Sequence, residues 1–395
     1  MSRVVATARG VSTPAGTTAA DGPATEAAAR TATGGTAPGT PRPRSGRAGA
    51  WAELLRLPAL FTVPGDALAG AAAAGARPGP RTLLAIGSSL CLYEAGMALN
   101  DWADRAEDAV ERPHRPIPSG RVRPAAALTA AGVLTGAGLA LAAGAGRPAL
   151  AVATPLAATV WAYDLALKHT PAGPVAMAAA RGLDLLLGAA ATDAGPRAAL
   201  PSAALLGTHT LAVTAVSRRE TTGGSVLAPL AALATTGVLT RLVTQSRTRL
   251  PAGRRAAAAP GLPGSTPAGL PDATSGVSGP TGPGRAEPLP LTPAAGVFGP
   301  PDRDGAPVRV TAALTTALGA AYAVTAARPY FHAVLNPSPP LTQRAVGGGI
   351  RATVPLQAAL AARSGAAATS LLVAALAPAG RLFARRAAMR KVSIT

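Results

Sequence analysis

The sequence has few aromatic and few charged residues: Phe, Trp and Tyr make up 3% of its 395 residues, and Asp, Glu, Lys and Arg make up 14%. A soluble domain normally carries about a quarter charged residues, so the low charge argues against an ordinary soluble protein. A groove for nucleic acid interleaves basic and aromatic side chains, and the scarcity of aromatics excludes that partner despite a formal net charge of +19. The basic residues instead gather at the ends of apolar runs, as in a polytopic membrane protein.

The sequence contains a single cysteine, and we expect no secretory leader. Cys91 is the one cysteine and stands inside an apolar segment, so we expect neither an intramolecular disulfide nor a cysteine-based metal site. Residues 1–50 contain no apolar run of the kind that a signal peptide needs. They are rich in Ala, Thr, Gly, Pro and Arg, and this composition predicts a disordered basic tail.

Apolar segments dominate the rest of the chain and predict an all-α membrane bundle of about nine helices, since a helix needs about 20 apolar residues to cross a bilayer. Residues 51–250 hold seven segments and residues 308–378 hold two. Between them, the Pro/Gly-rich stretch 251–307 is predicted to be a disordered insertion, and 379–395 forms a basic C-terminal tail. The segments lie near 52–75, 82–102, 124–143, 148–167, 172–192, 199–217, 225–244, 308–332 and 352–378.

The loops predict a multi-pass protein of the cell membrane whose loop at 105–123 faces the cytoplasm, because basic loops remain on that side. The N-terminal tail is also strongly basic and lies two spans away, which agrees with this orientation. Nine spans then place the C-terminus outside, although it is basic as well. Either a span is miscounted or the early charges dominate the orientation.

Three carboxylates stand at the end of the second apolar segment. Asp101, Asp104 and Asp108 are spaced i, i+3 and i+7, which puts them on one face of a helix over two turns. Carboxylates this close repel one another unless a cation offsets their charge. Hard oxygen ligands suit Mg²⁺, which typically takes one or two carboxylates and completes its shell with water and phosphate oxygens. The spacing therefore predicts a magnesium site.

A basic, proline-rich loop with the sequence R-P-H-R-P-I-P-S-G follows at residues 112–120. Its Arg side chains can give paired hydrogen bonds to a diphosphate, and its prolines restrict the shapes that the loop adopts. Acids that hold a metal, followed by bases that hold a phosphate, predict a diphosphate site. The alternative is a solvated helix end followed by an ordinary basic loop.

The run from Asn100 to Gly120, N-D-x-x-D-x-x-x-D-x-x-x-R-P-x-R-P-I-P-S-G, closely resembles the first signature of the UbiA superfamily of intramembrane aromatic prenyltransferases. Members are nine-helix bundles that use Mg²⁺ to ionise a prenyl diphosphate and transfer its prenyl group to an aromatic or other acceptor. The resemblance implies a prenyl diphosphate, a lipophilic acceptor and membrane lipids as partners. It also implies that Asp101, Asp104 and Asp108 hold Mg²⁺, that Asn100 lines the site, and that Arg112, Arg115 and Ser119 lie near the diphosphate.

Two later elements are compared with the same family. Tyr163 and Lys168 are similar to its Tyr-x-x-x-x-Lys element, which implies that Lys168 contacts the diphosphate and Tyr163 lies by the prenyl cation. Residues 217–224, S-R-R-E-T-T-G-G, stand where the family usually has a second aspartate-rich motif. Only Glu220 offers a carboxylate there, so either a weaker second metal site follows or Arg218 neutralises part of the diphosphate charge in its place. This departure indicates a divergent branch with an unfamiliar acceptor, and the alternative is a short basic loop.

Charged side chains inside spans are costly and usually face a cavity. Glu94 lies seven residues before Asp101, hence on the same helical face and about 10 Å deeper. It is either a base that acts on the acceptor or a buried neutral acid, and both interpretations stay open. Asp184 with Arg181 one turn before it predicts a structural ion pair, and His209 predicts a hydrogen-bonded core residue.

The expected function is the Mg²⁺-dependent transfer of an isoprenoid group from a prenyl diphosphate to an aromatic or other small lipophilic acceptor. Two alternatives remain. A CDP-alcohol phosphotransferase also uses helix-borne Asp and Mg²⁺, but its D-G-x-x-A-R motif is missing and the Arg-Pro loop stays unexplained. A non-catalytic multispan protein with the same fold would account for the weakened element at 217–224.

Overall fold

A computed structural model describes residues 46–219, 225–245 and 306–392 of the chain, without the side chains of 57–59, 306–308 and 384–392. Within these ranges every regular element is helical, which confirms the all-α fold. Ala and Leu favour helices, and in a bilayer a helix satisfies its own backbone hydrogen bonds. The helices are α1 (Arg47–Leu54), α2 (Pro64–Ala73), α3 (Pro80–Ala103), α4 (Arg105–Glu111), α5 (Pro124–Ala145), α6 (Arg147–Ala162), α7 (Gly173–Ala190), α8 (Leu200–Ser217), α9 (Leu227–Thr244), α10 (Ala306–Leu335), α11 (Pro339–Arg363) and α12 (Ala367–Val392).

Among the described residues, six helices are long and apolar enough to cross a membrane, and they contain α3, α5, α6, α8, α9 and α10. Two shorter apolar helices, Leu60–Ala73 and Ala367–Phe383, accompany them. The described residues therefore do not reproduce the count of nine spans. Helix α1 begins inside the predicted tail at Arg47, whereas residues 1–45 and nearly all of the predicted insertion, 246–305, lie outside the described residues.

Two predicted segments are each divided by a helix end. The segment 52–75 is broken after α1, where Arg56 has a φ of +48° and a 3-10 turn at Leu57–Thr62 leads into α2. The segment 352–378 crosses the end of α11, where Gly365 has a φ of +87°. Apolar composition does not mark such breaks, because Ala-rich sequence continues on both sides of them.

Helix α12 ends at the same end of the bundle as α3. Phe383, late in α12, packs against Phe61 with ring centroids 5.5 Å apart. Arg56, five residues before Phe61, contacts Asp101 near the end of α3. Helix α11 adds a reversal of the chain before α12 that the nine predicted segments did not include. Helix α12 continues from the last predicted segment into the basic C-terminal tail and ends at Val392.

Close backbone contact between α2 and α7 sets the position of buried charges. A Cβ built on Gly188 would lie 2.1 Å from the Ala67 carbonyl oxygen, and one on Gly70 would lie 1.9 Å from the Leu185 carbonyl oxygen. Small residues at matched positions let membrane helices approach this closely. Asp66 stands one turn before Gly70, so the contact brings it against α7.

We expect Gly188→Ala to destabilise the protein by about 3 kcal/mol, because its added methyl group meets backbone atoms that cannot move independently. Gly237→Ala is the matched control, since nothing lies within 4 Å of the Cβ position at Gly237 in the middle of α9. Thermal unfolding of both variants in detergent measures the difference. Equal melting temperatures for the two variants would contradict the close contact of α2 and α7.

Candidate active site

The three predicted metal ligands lie at the junction of α3 and α4. Helix α3 ends at Ala103 and α4 starts at Arg105, so Asp104 is the residue between them. Asp101 and Asp108 are 5% and 2% exposed, and Asp104 is partly exposed. Buried carboxylates are costly unless they are paired, and basic side chains pair with them here.

Arginines from two parts of the chain meet the buried carboxylates. Arg115 Nη1 lies 2.7 Å from Asp108 Oδ2 and 3.5 Å from Asp101 Oδ1, so it bridges the two acids. Arg112 Nη1 lies 3.5 Å from Asp108 Oδ1, and Arg56 Nη2 lies 3.3 Å from Asp101 Oδ1. The structure therefore brings together the acidic face and the basic loop that the sequence placed next to each other.

Arg56 was missed by the sequence reasoning. Among the described residues it is the only non-glycine with a left-handed backbone, a conformation that costs free energy for a residue with a Cβ and often marks functional positions. A lone Arg within the first apolar segment was the available signal, because such a charge is costly in a membrane.

The loop after α4 is held by its own side chains. Ile117 is 6% exposed and packs into the core beneath the loop. The Ser119 hydroxyl donates to the Arg115 carbonyl oxygen at 2.6 Å and accepts from Arg121 Nε at 3.0 Å. A hydrogen bond from Arg121 to the Glu53 carboxylate, at 2.7 Å, raises the pKa of that guanidinium. Ser119 and Arg121 thus fix the loop that carries Arg115.

A π turn that begins at Tyr163 joins the second motif to the first. The Lys168 amide donates to the Tyr163 carbonyl oxygen, five residues earlier, at 2.9 Å. Lys168 Nζ contacts Asp104 Oδ1, and Asn100 Nδ2 donates to Asp164 Oδ1 at 3.2 Å. Asp164 is 4% exposed and was not among the sequence candidates, although an acid inside an apolar segment was a usable signal.

A cavity of about 270 Å³ lies between α3, α6 and α7, with polar residues at two ends. Next to the acids, the wall includes Arg56, Asn100 and Asp164, together with Tyr163. Ser89, Arg181 and Asp184 line the other end. The wall between them is largely apolar, as at Leu92, Leu156, Val160 and Met177. A cavity with mostly apolar walls and a few convergent polar groups is typical of a ligand site.

Glu94 does not line this cavity. It follows Tyr93, which does, and one residue along a helix rotates a side chain by about 100°. Glu94 is 7% exposed, and its carboxylate oxygens have no hydrogen-bond partner among the described residues. The structure therefore separates Glu94 from the site in which it was a candidate base.

The expected ion pair within α7 is replaced by one between helices. Arg181 Nη1 lies 3.1 Å from Asp66 Oδ2 on α2, whereas Asp184 accepts a hydrogen bond from Ser89 on α3. The close approach of α2 and α7 explains the change, because it brings Asp66 to Arg181. The inward-facing charges of α7 therefore help to join three helices.

His209 has the structural role that the sequence predicted. It is 2% exposed, with Nε2 at 3.1 Å from the Gly349 carbonyl oxygen and Nδ1 at 3.2 Å from the Tyr322 hydroxyl. Since a carbonyl only accepts, Nε2 donates and Nδ1 accepts. His209 thus links α8, α10 and α11.

The element after α8 is described only in part. Arg218 follows α8 and donates to the Thr170 carbonyl oxygen, just beyond Lys168. It therefore lies near the second motif, as expected. Glu220, the proposed carboxylate of this element, lies outside the described residues.

The donor atoms at this end suit a hard divalent cation. Asp104, Glu107 and His169 offer ligand atoms within 4.8 Å of one another, and Asp101 and Asp108 are adjacent in the same charge network. Mg²⁺ needs one or two carboxylates beside water and phosphate oxygens, so the chemistry of this set fits it. Glu107 and His169 were not singled out in the sequence.

The three tryptophans of the sequence lie at the same end of the bundle as the site. Trp51, Trp102 and Trp161 all pack around one cluster that also contains Leu99, near the end of α3. Trp is enriched where membrane meets water. The acids and arginines therefore lie at the end of the bundle that carries the tryptophans, and the cavity extends from this end along α3.

Within the chain, residues 60–222 match the UbiA prenyltransferase family. Digeranylgeranylglyceryl phosphate synthase of Methanopyrus kandleri is 36% identical over 147 residues, which are 36% of this chain and 52% of that protein. The enzyme of the same name from Methanothrix thermoacetophila is 34% identical over 112 residues, 28% of this chain and 42% of its own. The chain thus spans about half the length of the curated relatives it matches.

Solved structures resemble the fold. One described as digeranylgeranylglyceryl phosphate synthase in membranes has a TM-score of 0.50 at 14% identity and covers 80% of this chain and 98% of its own. A UbiA homolog from Archaeoglobus fulgidus bound to DMAPP and Mg²⁺ has a TM-score of 0.41 at 18% identity, covering 49% and 76%. With six apolar helices and the family match, the chain is a multi-pass membrane protein.

Proposed function

We propose that this chain, which carries a UbiA prenyltransferase family domain over residues 60–222, is a Mg²⁺-dependent membrane prenyltransferase. It transfers an isoprenoid group from a prenyl diphosphate to a lipophilic acceptor. The observation that carries the proposal is the network of carboxylates and arginines at the end of α3, whose Arg56 also lines a cavity with largely apolar walls.

The basic side chains of this network are placed to move to a diphosphate. Arg56 and Arg112 contact Asp101 and Asp108 at 3.3 and 3.5 Å, which is longer than a strong charge-assisted hydrogen bond. Arg115 bonds Asp108 at 2.7 Å and reaches Asp101 at 3.5 Å. When these bases turn to a diphosphate, Asp101 and Asp108 lose their partners. Binding of the anion and of a cation is therefore coupled.

The metal site expected here is formed by Asp101, Asp104 and Asp108, with Glu107 and His169 beside Asp104. Bound Mg²⁺ supplies charge neutralisation of the leaving diphosphate. Lys168 and Arg218 add positive charge from the neighbouring helix ends. Charge stabilisation of this kind lowers the barrier to breaking the C–O bond.

The transfer step is a substitution at the prenyl C1 atom. The C1–O bond breaks and its electron pair leaves with the diphosphate, while an acceptor atom supplies the pair for the new bond to C1. Tyr163 presents an aromatic ring beside the developing cation, where a π face is favourable. Asp164 is the carboxylate on the cavity wall next to it, and it takes the proton that the acceptor loses.

The same geometry supports a cytoplasmic position for the site. Arg112, Arg115, Lys168 and Arg218 lie at one end of the bundle, and the end of α12 with Arg381 lies there too. Basic segments remain on the cytoplasmic side, so the diphosphate reaches the site from the cytoplasm while the acceptor arrives from the membrane.

Membranes from producing cells test the function directly. Wild-type membranes are expected to release diphosphate from geranyl, farnesyl or geranylgeranyl diphosphate in the presence of Mg²⁺ and to form a prenylated lipid. Membranes from cells without the protein serve as background. Diphosphate release no higher than this background for all three substrates would favour a non-catalytic protein with the same fold.

Arg115→Lys is expected to weaken binding of a non-hydrolysable prenyl diphosphate analogue about 10-fold or more, because Lys cannot reproduce the contacts of a guanidinium to two groups. Arg105→Lys is the matched control. The Arg105 guanidinium carbon lies 4.5 Å from the centroid of the Trp102 ring, and among the described residues its hydrogen bond goes to the Trp102 carbonyl oxygen rather than to a carboxylate. Equilibrium binding of the labelled analogue to purified protein measures both. Equal affinities would remove Arg115 from the diphosphate site.

A further inference from the structure

We infer that the deep end of the cavity, formed by Ser89, Arg181 and Asp184, binds an uncharged hydroxyl group of the acceptor. The inference rests on the proposed prenyl transfer and names the acceptor class: a lipophilic molecule with a free hydroxyl at the end away from the bond that forms.

The deep end is well separated from the diphosphate end. Ser89 precedes Asn100 by eleven residues on α3, about 16 Å along a helix at 1.5 Å per residue. Both residues line the same cavity, and the wall between them includes Leu92 and Gly96. A Cβ at Gly96 would lie 3.1 Å from Val160, so the wall of the cavity at this point depends on a residue without a side chain. A ligand that spans this cavity has a polar contact available at each end.

The polar groups of the deep end are fixed from behind. Asp66 and Gln357 are both fully buried. Gln357 Nε2 donates to Asp66 Oδ1 at 2.6 Å and to the Thr62 carbonyl oxygen at 2.9 Å. Asp66 in turn lies 3.1 Å from Arg181 Nη1. Since neither Asp66 nor Gln357 lines the cavity, they position Arg181 rather than touch a ligand.

The charge of the deep end excludes two kinds of ligand group. Among the described residues it holds two carboxylates, Asp66 and Asp184, against the one guanidinium of Arg181, so it has no surplus positive charge for a phosphate or carboxylate. An apolar chain end would remove water from Arg181 and Asp184 without replacing its hydrogen bonds, which is costly.

A hydroxyl group can bond to both of the charged side chains that line the deep end, Arg181 and Asp184. It can donate to Asp184 and accept from Arg181. Ser89 already donates to Asp184 Oδ1, but a carboxylate has room for further donors. The basic end near Asp101 binds the anionic diphosphate, and the deep end binds an uncharged hydroxyl group. The two ends of the cavity therefore select the prenyl diphosphate and the acceptor separately.

The test measures how a labelled prenyl group is divided between products. Membranes with the wild type, Asp184→Ala, Asp184→Asn or Ser89→Ala receive labelled geranylgeranyl diphosphate, and prenylated lipid, prenyl alcohol and diphosphate are quantified. Loss of a hydrogen bond to a charged group costs about 10- to 100-fold in affinity. We expect Asp184→Ala to lower the ratio of prenylated lipid to prenyl alcohol at least about tenfold, whereas diphosphate release falls far less.

The isosteric and control variants separate binding from folding. Asp184→Asn should shift the ratio in the same direction by less, because an amide oxygen still accepts. Asp193→Asn removes the charge of an exposed carboxylate that pairs with Arg81. This variant should leave the ratio of prenylated lipid to prenyl alcohol unchanged. Mass spectrometry of the wild-type product should find a free hydroxyl on its acceptor half.

Three results would overturn the inference: an unchanged product ratio in Asp184→Ala, a parallel fall of diphosphate release and transfer, or an acceptor half without a free hydroxyl. Failure of the proposed function looks different, because the wild type itself would then release no diphosphate above background.

Discussion

Asp104→Asn is expected to lower Mg²⁺-dependent release of diphosphate about 10³-fold, the scale of losing a group that stabilises charge on the leaving oxygen. Asp104 joins α3 to α4, contacts Lys168 and lies within 4.8 Å of Glu107 and His169 ligand atoms. The substitution keeps the shape of the side chain and removes its charge. Initial rates at saturating prenyl diphosphate, measured across a Mg²⁺ titration, report the effect.

Asp193→Asn is the matched control for this prediction. Asp193 pairs with Arg81 at 2.8 Å, and its side chain is 97% exposed. The Asp193→Asn variant makes the same chemical change away from the cavity, so its rate of diphosphate release should stay at the wild-type value. An Asp104→Asn variant with wild-type rate and Mg²⁺ dependence would remove Asp104 from the metal site.

Asp164→Asn is expected to lower prenyl transfer about 10²-fold, in the range that a positioned general base contributes. Its carboxylate lies on the cavity wall, is 4% exposed and accepts a hydrogen bond from Asn100. Because the base acts on the acceptor, release of diphosphate should fall less than formation of prenylated lipid. Separate quantification of the two products at several pH values measures this difference.

Glu94→Gln distinguishes the two candidate bases. Glu94 is buried as well, but it does not line the cavity. Its substitution should leave the division between prenylated lipid and prenyl alcohol unchanged. A larger loss of transfer in Glu94→Gln than in Asp164→Asn would return the role of base to Glu94.

The sequence predicted the first part of the site because its residues are close along the chain. Helix spacing predicted that Asp101, Asp104 and Asp108 lie together, and the loop that follows carries Arg112 and Arg115. The structure keeps the acids close but ends α3 before Asp104 and places Asp108 on α4. Short-range geometry of this kind is fixed by the helix repeat and by a few prolines. The contacts of both arginines with the acids were therefore within reach of sequence reasoning.

The contributions from distant parts of the chain were not predictable in the same way. Arg56 reaches Asp101 only because the chain turns sharply after α1. Asp164 reaches Asn100 only because a π turn alters the end of α6. Both depend on helix packing and on local breaks, which hydrophobic periodicity does not report.

The described residues do not reproduce the predicted span count for a related reason. Helices α11 and α12 contain Ala-rich sequence on both sides of Gly365, and a hydropathy pattern joins them into one segment. The pairing of Arg181 with Asp66 rather than Asp184 likewise follows from two glycines that bring α2 and α7 together. Partners between helices are set by such contacts, which lie far apart in the sequence.

The central claim is tested most directly by a product balance with purified protein in lipid nanodiscs supplied with extracted membrane lipids. With geranylgeranyl diphosphate and Mg²⁺, each diphosphate released should be matched by one prenylated lipid or prenyl alcohol, and chelation of Mg²⁺ should stop the release. Diphosphate release that is absent, or that is the same in Asp101→Ala and without Mg²⁺, would contradict the claim that these acids support prenyl transfer.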